Sequence, residues 1–199
     1  LRLLLHTCCA PCLSGSRPAL EEEGFEPTAF FYNPNIHPYS EWEKRLQTLE
    51  RYLYLRPMEA MIERDYPLWG FMRELSATVC PDATLALGGM MTPEERKKRC
   101  AFCYRKRMEA TVMTASEKGF EAFSTTLLLS VHQDHELLRD VCRAVSEEGG
   151  IEFIYSDLRK HWNDSKRESS ELRLYRQNYC GCIFSEHERL SQERPQTSA

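Results

Sequence analysis

Short apolar runs alternate with longer amphipathic stretches along the chain, and turn residues mark most of the joints. Leu1–Thr7 (LRLLLHT) has the apolar character of a buried strand. Ser14–Gly24 has helical spacing, with Pro18 near its first turn and Gly24 as its stop. Glu26–Tyr32 (EPTAFFY) reads as a second strand, closed by the loop residues Asn33-Pro34-Asn35. A helix is predicted from Tyr39 or Ser40 to Leu55, with Ser40 as N-cap and Glu43 completing a capping box. Pro57–Ile62 is a candidate third strand, and Leu68–Ala77 a helix. Residues 79–91 contain Pro81, Gly88 and Gly89 and read as an insertion or lid. Thr92-Pro93-Glu94-Glu95 has the residues of a helix start: a hydroxyl cap, a first-turn proline and acids at the positive end. That helix should run to Lys118 and stop at Gly119. Glu121–Leu129 and Ile151–Tyr155 read as further strands, separated by a helix over Gln133–Glu148. Ser169–Leu174 and Ser185–Leu190 read as short helices, and residues 191–199 as a polar, disordered tail.

Strands alternating with helices imply a parallel sheet covered on both faces. The length of 199 residues fits one α/β domain, here 1–190, and no internal repeat or linker divides it. In such sheets, ligands bind beyond the carboxyl ends of the strands. Cys8 and Cys9 follow the first strand directly, where that rule places chemistry. Hydrophobic content of 42% and charged content of 28% are those of an ordinary globular chain. No apolar run reaches the length of a membrane span, and Leu1–Leu5 is too short for an export signal. A cytoplasmic location with no membrane partner is therefore the expectation.

Cysteine changes the picture most. The chain has 9 cysteines, and seven fall into three tight groups: Cys8-Cys9-x-x-Cys12, Cys100-x-x-Cys103 and Cys180-x-Cys182. A disulfide framework belongs to small secreted chains, whereas clustered thiols in a reducing compartment bind metal. One tetrahedral zinc or one four-iron cluster uses four thiolates, which leaves three for a second metal or an active dithiol. Spacing alone does not separate iron–sulfur from zinc; the spare thiols and the neighbours Phe102, Tyr104, Tyr179 and Phe184 favour a shielded redox centre. Cys80 and Cys142 stand alone and read as buried structural thiols.

The formal net charge of −4 is not that of a general nucleic-acid binder. Yet from Arg96 to Arg107, seven of twelve residues are Lys or Arg: Arg96, Lys97, Lys98, Arg99, Arg105, Lys106 and Arg107. Such a stripe holds a phosphate backbone or forms a solvated helix face beside Glu94, Glu95 and Glu109. The sequence lacks a GxxxxGK[ST] loop and a GxGxxG fingerprint, so nucleotide-driven and hydride-transfer chemistry have little support. His6 reads as a packed core histidine, with a ligand role as the alternative. His37, His132, Asp134 and His135 follow predicted strands, as substrate contacts, proton donors or ordinary caps. Tyr32 and Tyr175 are candidates for base stacking or for the core. His161 and His187 read as surface residues.

Five segments, in order, carry a resemblance: LHTCCAPC, FFYNPNIHP, RCAFCYRKRME, FSTTLLLS and LYRQNYCGCIFSE. The chain resembles the QueH family of cobalamin-independent epoxyqueuosine reductases over about residues 3 to 190. The resemblance implies reduction of the epoxide of epoxyqueuosine at the wobble position of tRNA, giving queuosine. It also implies a four-iron four-sulfur (4Fe-4S) cluster with an additional mononuclear iron beside it. On this chain the cluster set would be Cys8, Cys100, Cys103 and Cys180. The second-iron set, where catalysis occurs, would be Cys9, Cys12 and Cys182, with Cys8 and Cys9 interchangeable between the two. Some relatives carry Asp where Cys12 stands, which keeps a metal ligand and changes its softness. Removing the epoxide oxygen takes two electrons, two protons and a Lewis acid. The implied partners are the anticodon stem-loop of tRNA and an external electron donor, with the basic stripe holding stem phosphates beside Cys100 and Cys103. The fold expected with these readings is a single α/β domain with a Rossmann-like (HUP-like) parallel sheet flanked by helices. Its metal site lies at the C-terminal ends of the strands. Two other classes share the thiols: a zinc-stapled RNA-binding module, and a thiol–disulfide oxidoreductase using Cys100 and Cys103.

Overall fold

A computed structural model describes residues 1–79 and 91–193. Its centre is β1 (Arg2–His6), whose three leucines Leu3, Leu4 and Leu5 are fully buried. β1 pairs in parallel with β2 (Glu26–Phe31) on one side and β4 (Ala122–Thr125) on the other. β3 (Ala60–Ile62) and β5 (Glu152–Phe153) form the edges, giving a five-stranded parallel sheet of order β3-β2-β1-β4-β5. Burial on both faces explains why β1 reads as a continuous apolar run rather than as an alternating one.

Alternate residues of each strand feed opposite layers. Leu3, Leu5, Ala29 and Phe31 pack with Leu13 and Leu20 of α1 (Ala10–Glu22) and with Trp42, Leu46 and Leu49 of α2 (Tyr39–Leu55). Leu4 and Phe30 pack on the other face against Ala115 of α4 (Pro93–Lys118) and Phe120. Phe123 of β4 joins that side, with Met108 and Val112 of α4 and Leu138 and Val145 of α5 (His135–Gly149). The chain therefore leaves β1 toward one face and returns to β4 from the other. The switch point between β1 and β4 is where such sheets open a crevice. α3 (Leu68–Val79) packs Phe71 and Leu75 against Phe102 and Phe184, beside α4.

Most expected elements are present, with physical reasons for the differences. α1 starts at Ala10 rather than Ser14, because Cys9 is its N-cap and accepts from the Cys12 amide at 3.5 Å. Cys12 thus sits in the first turn of a helix. The Ser40–Glu43 capping box does not form: α2 starts at Tyr39 after Pro38, and Tyr39 packs on Trp42 and Tyr66. The Thr92–Glu95 capping box does form, and α4 ends at Gly119 in the left-handed conformation. The expected strand over Glu121–Leu129 ends at Thr125 and continues as a 3₁₀ turn, Thr126–Leu129. Instead of a helix over Ser169–Leu174, α6 occupies Trp162–Glu171. Its buried face consists of Ser165 and Ser169, so no apolar stripe announced it. That face meets α1 at Gly15, where an added Cβ would lie 2.8 Å from Ser165 Cβ and 3.2 Å from the His161 carbonyl oxygen. The last helix, α7 (Ile183–Glu193), takes in the start of the expected tail. Most of the expected insertion (80–90) and the rest of the tail (194–199), with Cys80, lie outside the described residues.

Candidate metal centre

The first thiol group is built by the end of β1 and the start of α1. Cys8, Cys9 and Cys12 are all buried, and their sulfurs lie within 4.8 Å of one another. Cys8 and Cys9 Sγ are 3.7 Å apart. The neighbouring strand fixes Cys8: its amide donates to Thr126 Oγ1 at 3.1 Å, and the same hydroxyl donates to Cys8 Sγ at 3.3 Å. Hydrogen bonds, first from the Cys12 thiol and then from Cys9, hold the Cys8 thiol well below the ordinary range, with Thr126 adding to them. The same bonds, seen from the other side, push Cys12 up. The trio thus favours one thiolate, and a cation is what would let the others ionise.

The second assembly joins α4 to the segment before α7. Cys100, Cys103, Cys180 and Cys182 line one cavity of about 30 Å³, together with Asn35, Arg99, Tyr104 and Arg107. Asn35 Oδ1 is buried there without a hydrogen-bond partner. Burial pushes the Cys103 thiol up to about 11, although Arg107 pulls the other way. The Cys182 thiol, hydrogen-bonded to Cys180, draws Cys180 down to about 5 and is itself pushed up. The loop carrying this pair is held from beneath. Arg45, 1% exposed, donates to the carbonyls of Cys180 and Tyr179 at 3.1 Å each. Its Nε pairs with Glu41 at 2.7 Å, and Glu41 accepts from Tyr175 OH. Gly181, at φ +107, passes so close that a Cβ would lie 2.8 Å from Ile36 Cγ1 and 3.2 Å from Arg45 Nη1. His37 N–H donates to the Gly181 carbonyl at 2.7 Å.

Both assemblies open on one cleft of about 980 Å³ at the switch point. Cys8, Cys12, Cys100 and Cys180 face it, and Arg96, Lys97, Arg176, Lys166, His132 and Trp162 form much of its rim. The cleft is large enough for a nucleotide-sized group.

A protein-family comparison matches residues 3–188 to the model described as epoxyqueuosine reductase QueH. The chain belongs to the QueH family. The QueH of Dehalococcoides mccartyi is 35% identical over 189 residues, covering 95% of this chain and 94% of that protein. The QueH of Thermotoga maritima is 33% identical over 189 residues, covering 94% and 91%. The QueH of Helicobacter pylori is 32% identical over 194 residues, covering 92% of this chain and 49% of that one. The segment matched to QueH contains all seven grouped thiols.

The remaining candidates divide clearly. The basic stripe is not one face of α4. Arg96, Lys97 and Arg99 line the cleft, with Arg99 paired to Glu188. Lys98 pairs with Glu94, Lys106 with Glu74, and Arg105 with Glu109 and Glu148, while Arg107 is buried against Cys103. His132 lines the cleft, edge-on to Trp162 at 5.8 Å. Asp134 caps α5, and His135 is buried against the Ser130 carbonyl. His6 is fully buried on Thr125, and His37 on Tyr66. Tyr32 stacks on Phe30. His187 is exposed, whereas His161 is half-buried beside Asp164. Cys142 is a core residue of α5. Arg45, Gln177, Trp162 and Lys166 were not singled out by sequence; the i, i+4 spacing of Glu41 and Arg45 was the only signal among them.

Proposed function

We propose that this chain reduces epoxyqueuosine to queuosine in the wobble position of tRNA by two-electron deoxygenation of the epoxide. The reaction consumes two electrons from an external donor and two protons, and the epoxide oxygen leaves as water. We infer that a 4Fe-4S cluster and an additional mononuclear iron are held by Cys8, Cys9, Cys12, Cys100, Cys103, Cys180 and Cys182. The observation that carries this proposal is that members of all three thiol groups, Cys8, Cys12, Cys100 and Cys180, line one crevice at the β1/β4 switch point, where cations also gather.

The donor chemistry fits such a group. Seven soft sulfur ligands suit iron–sulfur binding. Asn35 Oδ1 and the Arg107 guanidinium both face the second cavity, one without a partner and the other without a carboxylate among the described residues. When bound, the metals supply electrons and a Lewis acid for the leaving oxygen.

The protein's own residues bind, orient and exclude. Lys97 and Arg176 have no ion-pair partner among the described residues and line the cleft, so their charges are available to RNA phosphates. The modified nucleotide leaves its loop to enter the cleft. Arg45 and Gly181 hold the Cys180–Cys182 loop in a single geometry, which limits the reorganisation needed at the reacting atoms. Tyr104, buried and bonded to Gln133, forms the wall beside Cys100. A tRNA substrate accords with work in the cytoplasm; no described helix is long and apolar enough to cross a membrane. Protein prepared without oxygen tests the proposal: iron and sulfide should be present, and an epoxyqueuosine-bearing anticodon stem-loop should be turned over. Stoichiometric zinc without turnover would favour an RNA-binding module, and metal-free protein with an active dithiol would favour a thiol–disulfide oxidoreductase.

A further inference from the structure

Arg107 follows Cys103 by one turn of α4 and is 3% exposed. Its Nε donates to the Cys103 carbonyl at 3.0 Å, and its Nη2 donates to Cys103 Sγ at 3.2 Å. The Tyr104 ring lies 5.7 Å from its guanidinium carbon. Two other buried arginines of this site have carboxylate partners: Arg45 has Glu41 and Arg99 has Glu188. No carboxylate among the described residues lies within ion-pairing distance of Arg107.

A buried cation requires a counter-charge, and without one it is strongly destabilising. Burial opposes the charge of Arg107, and the side-chain atom within hydrogen-bond reach of its guanidinium is the Cys103 sulfur. The cavity that Arg107 lines is walled by four thiols, so sulfur is the anion this position was built to meet. Neutral thiols cannot serve, whereas metal-bound thiolates carry negative charge permanently.

We propose that Arg107 is a positioning residue that supplies the fixed counter-charge of the thiolate-bound centre and, through its N–H···S bond to Cys103, raises that centre's reduction potential. This rests on the metal-centre reading given above. Each added electron makes the centre more negative. A fixed positive charge and a hydrogen bond on the sulfur favour the reduced state more than the oxidised one. Arg107 would therefore set how readily the external donor fills the centre, without touching the substrate.

The test compares wild type with Arg107→Met and Arg107→Lys, all full-length and loaded without oxygen, by redox titration followed in the visible spectrum. Arg107→Met should bind the same iron and sulfide, with its reduced-to-oxidised ratio at the wild-type midpoint lowered about tenfold. For a one-electron couple that is about 59 mV toward lower potential. Arg107→Lys, which keeps the charge and loses the paired donors, should fall between the two. An unchanged midpoint in Arg107→Met at full metal content would overturn the inference, as would a loss confined to the thermal stability of the metal-free protein. If Arg107→Met fails to fold, Arg107→Lys decides: a wild-type midpoint there also overturns it. Wild type that takes up no iron and sulfide is a different result, since it removes the metal-centre reading and this inference with it.

Discussion

Gln177 Nε2 donates a hydrogen bond to Cys9 Sγ at 3.0 Å, across 168 positions of sequence. The bond fastens the segment that leads into Cys180 and Cys182 onto the first thiol group. Gln177 Oε1 is buried and has no partner, so the side chain is held by its donor end. A donor to a ligating sulfur orients that ligand and tunes its basicity. Gln177→Leu keeps the volume and removes the donor. Iron affinity measured by chelator competition should fall about 10- to 100-fold. Unchanged affinity would mean that Gln177 only fills space.

The Cys180–Cys182 loop depends on a residue without a side chain. Gly181 sits at φ +107 with Ile36 and Arg45 against it, a conformation that other residues adopt only under strain. Gly181→Ala should cost about 1–3 kcal/mol in the unfolding of the metal-free protein. It should also lower the iron retained after gel filtration, because Cys180 and Cys182 move with the loop. Chemical denaturation gives the first quantity and metal analysis the second. A fully stable, fully loaded variant would show that the loop adapts.

Among the positive residues of α4 and of the segment before α7, only those on the cleft side should matter for RNA. Replacing Lys97 and Arg176 together by Gln should weaken binding of an anticodon stem-loop. The salt dependence should become shallower by about one unit for each phosphate that is no longer neutralised. Replacing Lys98 and Arg105 together should leave the slope unchanged, since Glu94, Glu109 and Glu148 already neutralise them. Equal effects from the two pairs would argue for binding over the outer face of α4.

Stability should also depend on pH through β1. Burial, with the charge of Arg107 second, holds the His6 imidazole down at about 3. The unfolded chain protonates this group near 6.5. Between those values the unfolded state binds a proton that the folded state does not, so stability is lost as pH falls below about 6.5. The slope from this one group is up to about 1.4 kcal/mol per pH unit. In His6→Asn the fall in denaturation midpoint between pH 6.5 and 5 should flatten, a window that lies above most carboxylate titrations. A slope identical to wild type would assign the loss to other groups.

The pattern of the chain carried the sheet because β1 is buried on both faces and reads as an unbroken apolar run, and β2 ends in buried aromatics. It carried α4 because Thr92, Pro93, Glu95 and Gly119 are explicit end signals. The three thiol groups were visible as spacing, and the position of Cys8 after β1 was enough to point to the sheet's C-terminal end. What the pattern hid was set by tertiary packing rather than periodicity. α6 buries serines against Gly15, so its inner face looks polar. Arg107 reads as one more charge in a basic stripe, and only the path of α4 turns it inward to Cys103. Arg45 and Gln177 act on cysteines 135 and 168 positions away; the i, i+4 spacing from Glu41 marks Arg45 only as half of an ion pair, and nothing local marks Gln177.

The most direct measurement is mass spectrometry of an epoxyqueuosine-bearing anticodon stem-loop, incubated without oxygen with iron-loaded protein and a chemical reductant. Wild type and Cys142→Ala should both remove one oxygen from the nucleoside, because Cys142 is a core residue of α5 and is not on the cleft wall. Cys100→Ala should bind less iron and leave the epoxide intact. An unmodified epoxide with fully loaded wild type, or full conversion by Cys100→Ala, would contradict the assignment.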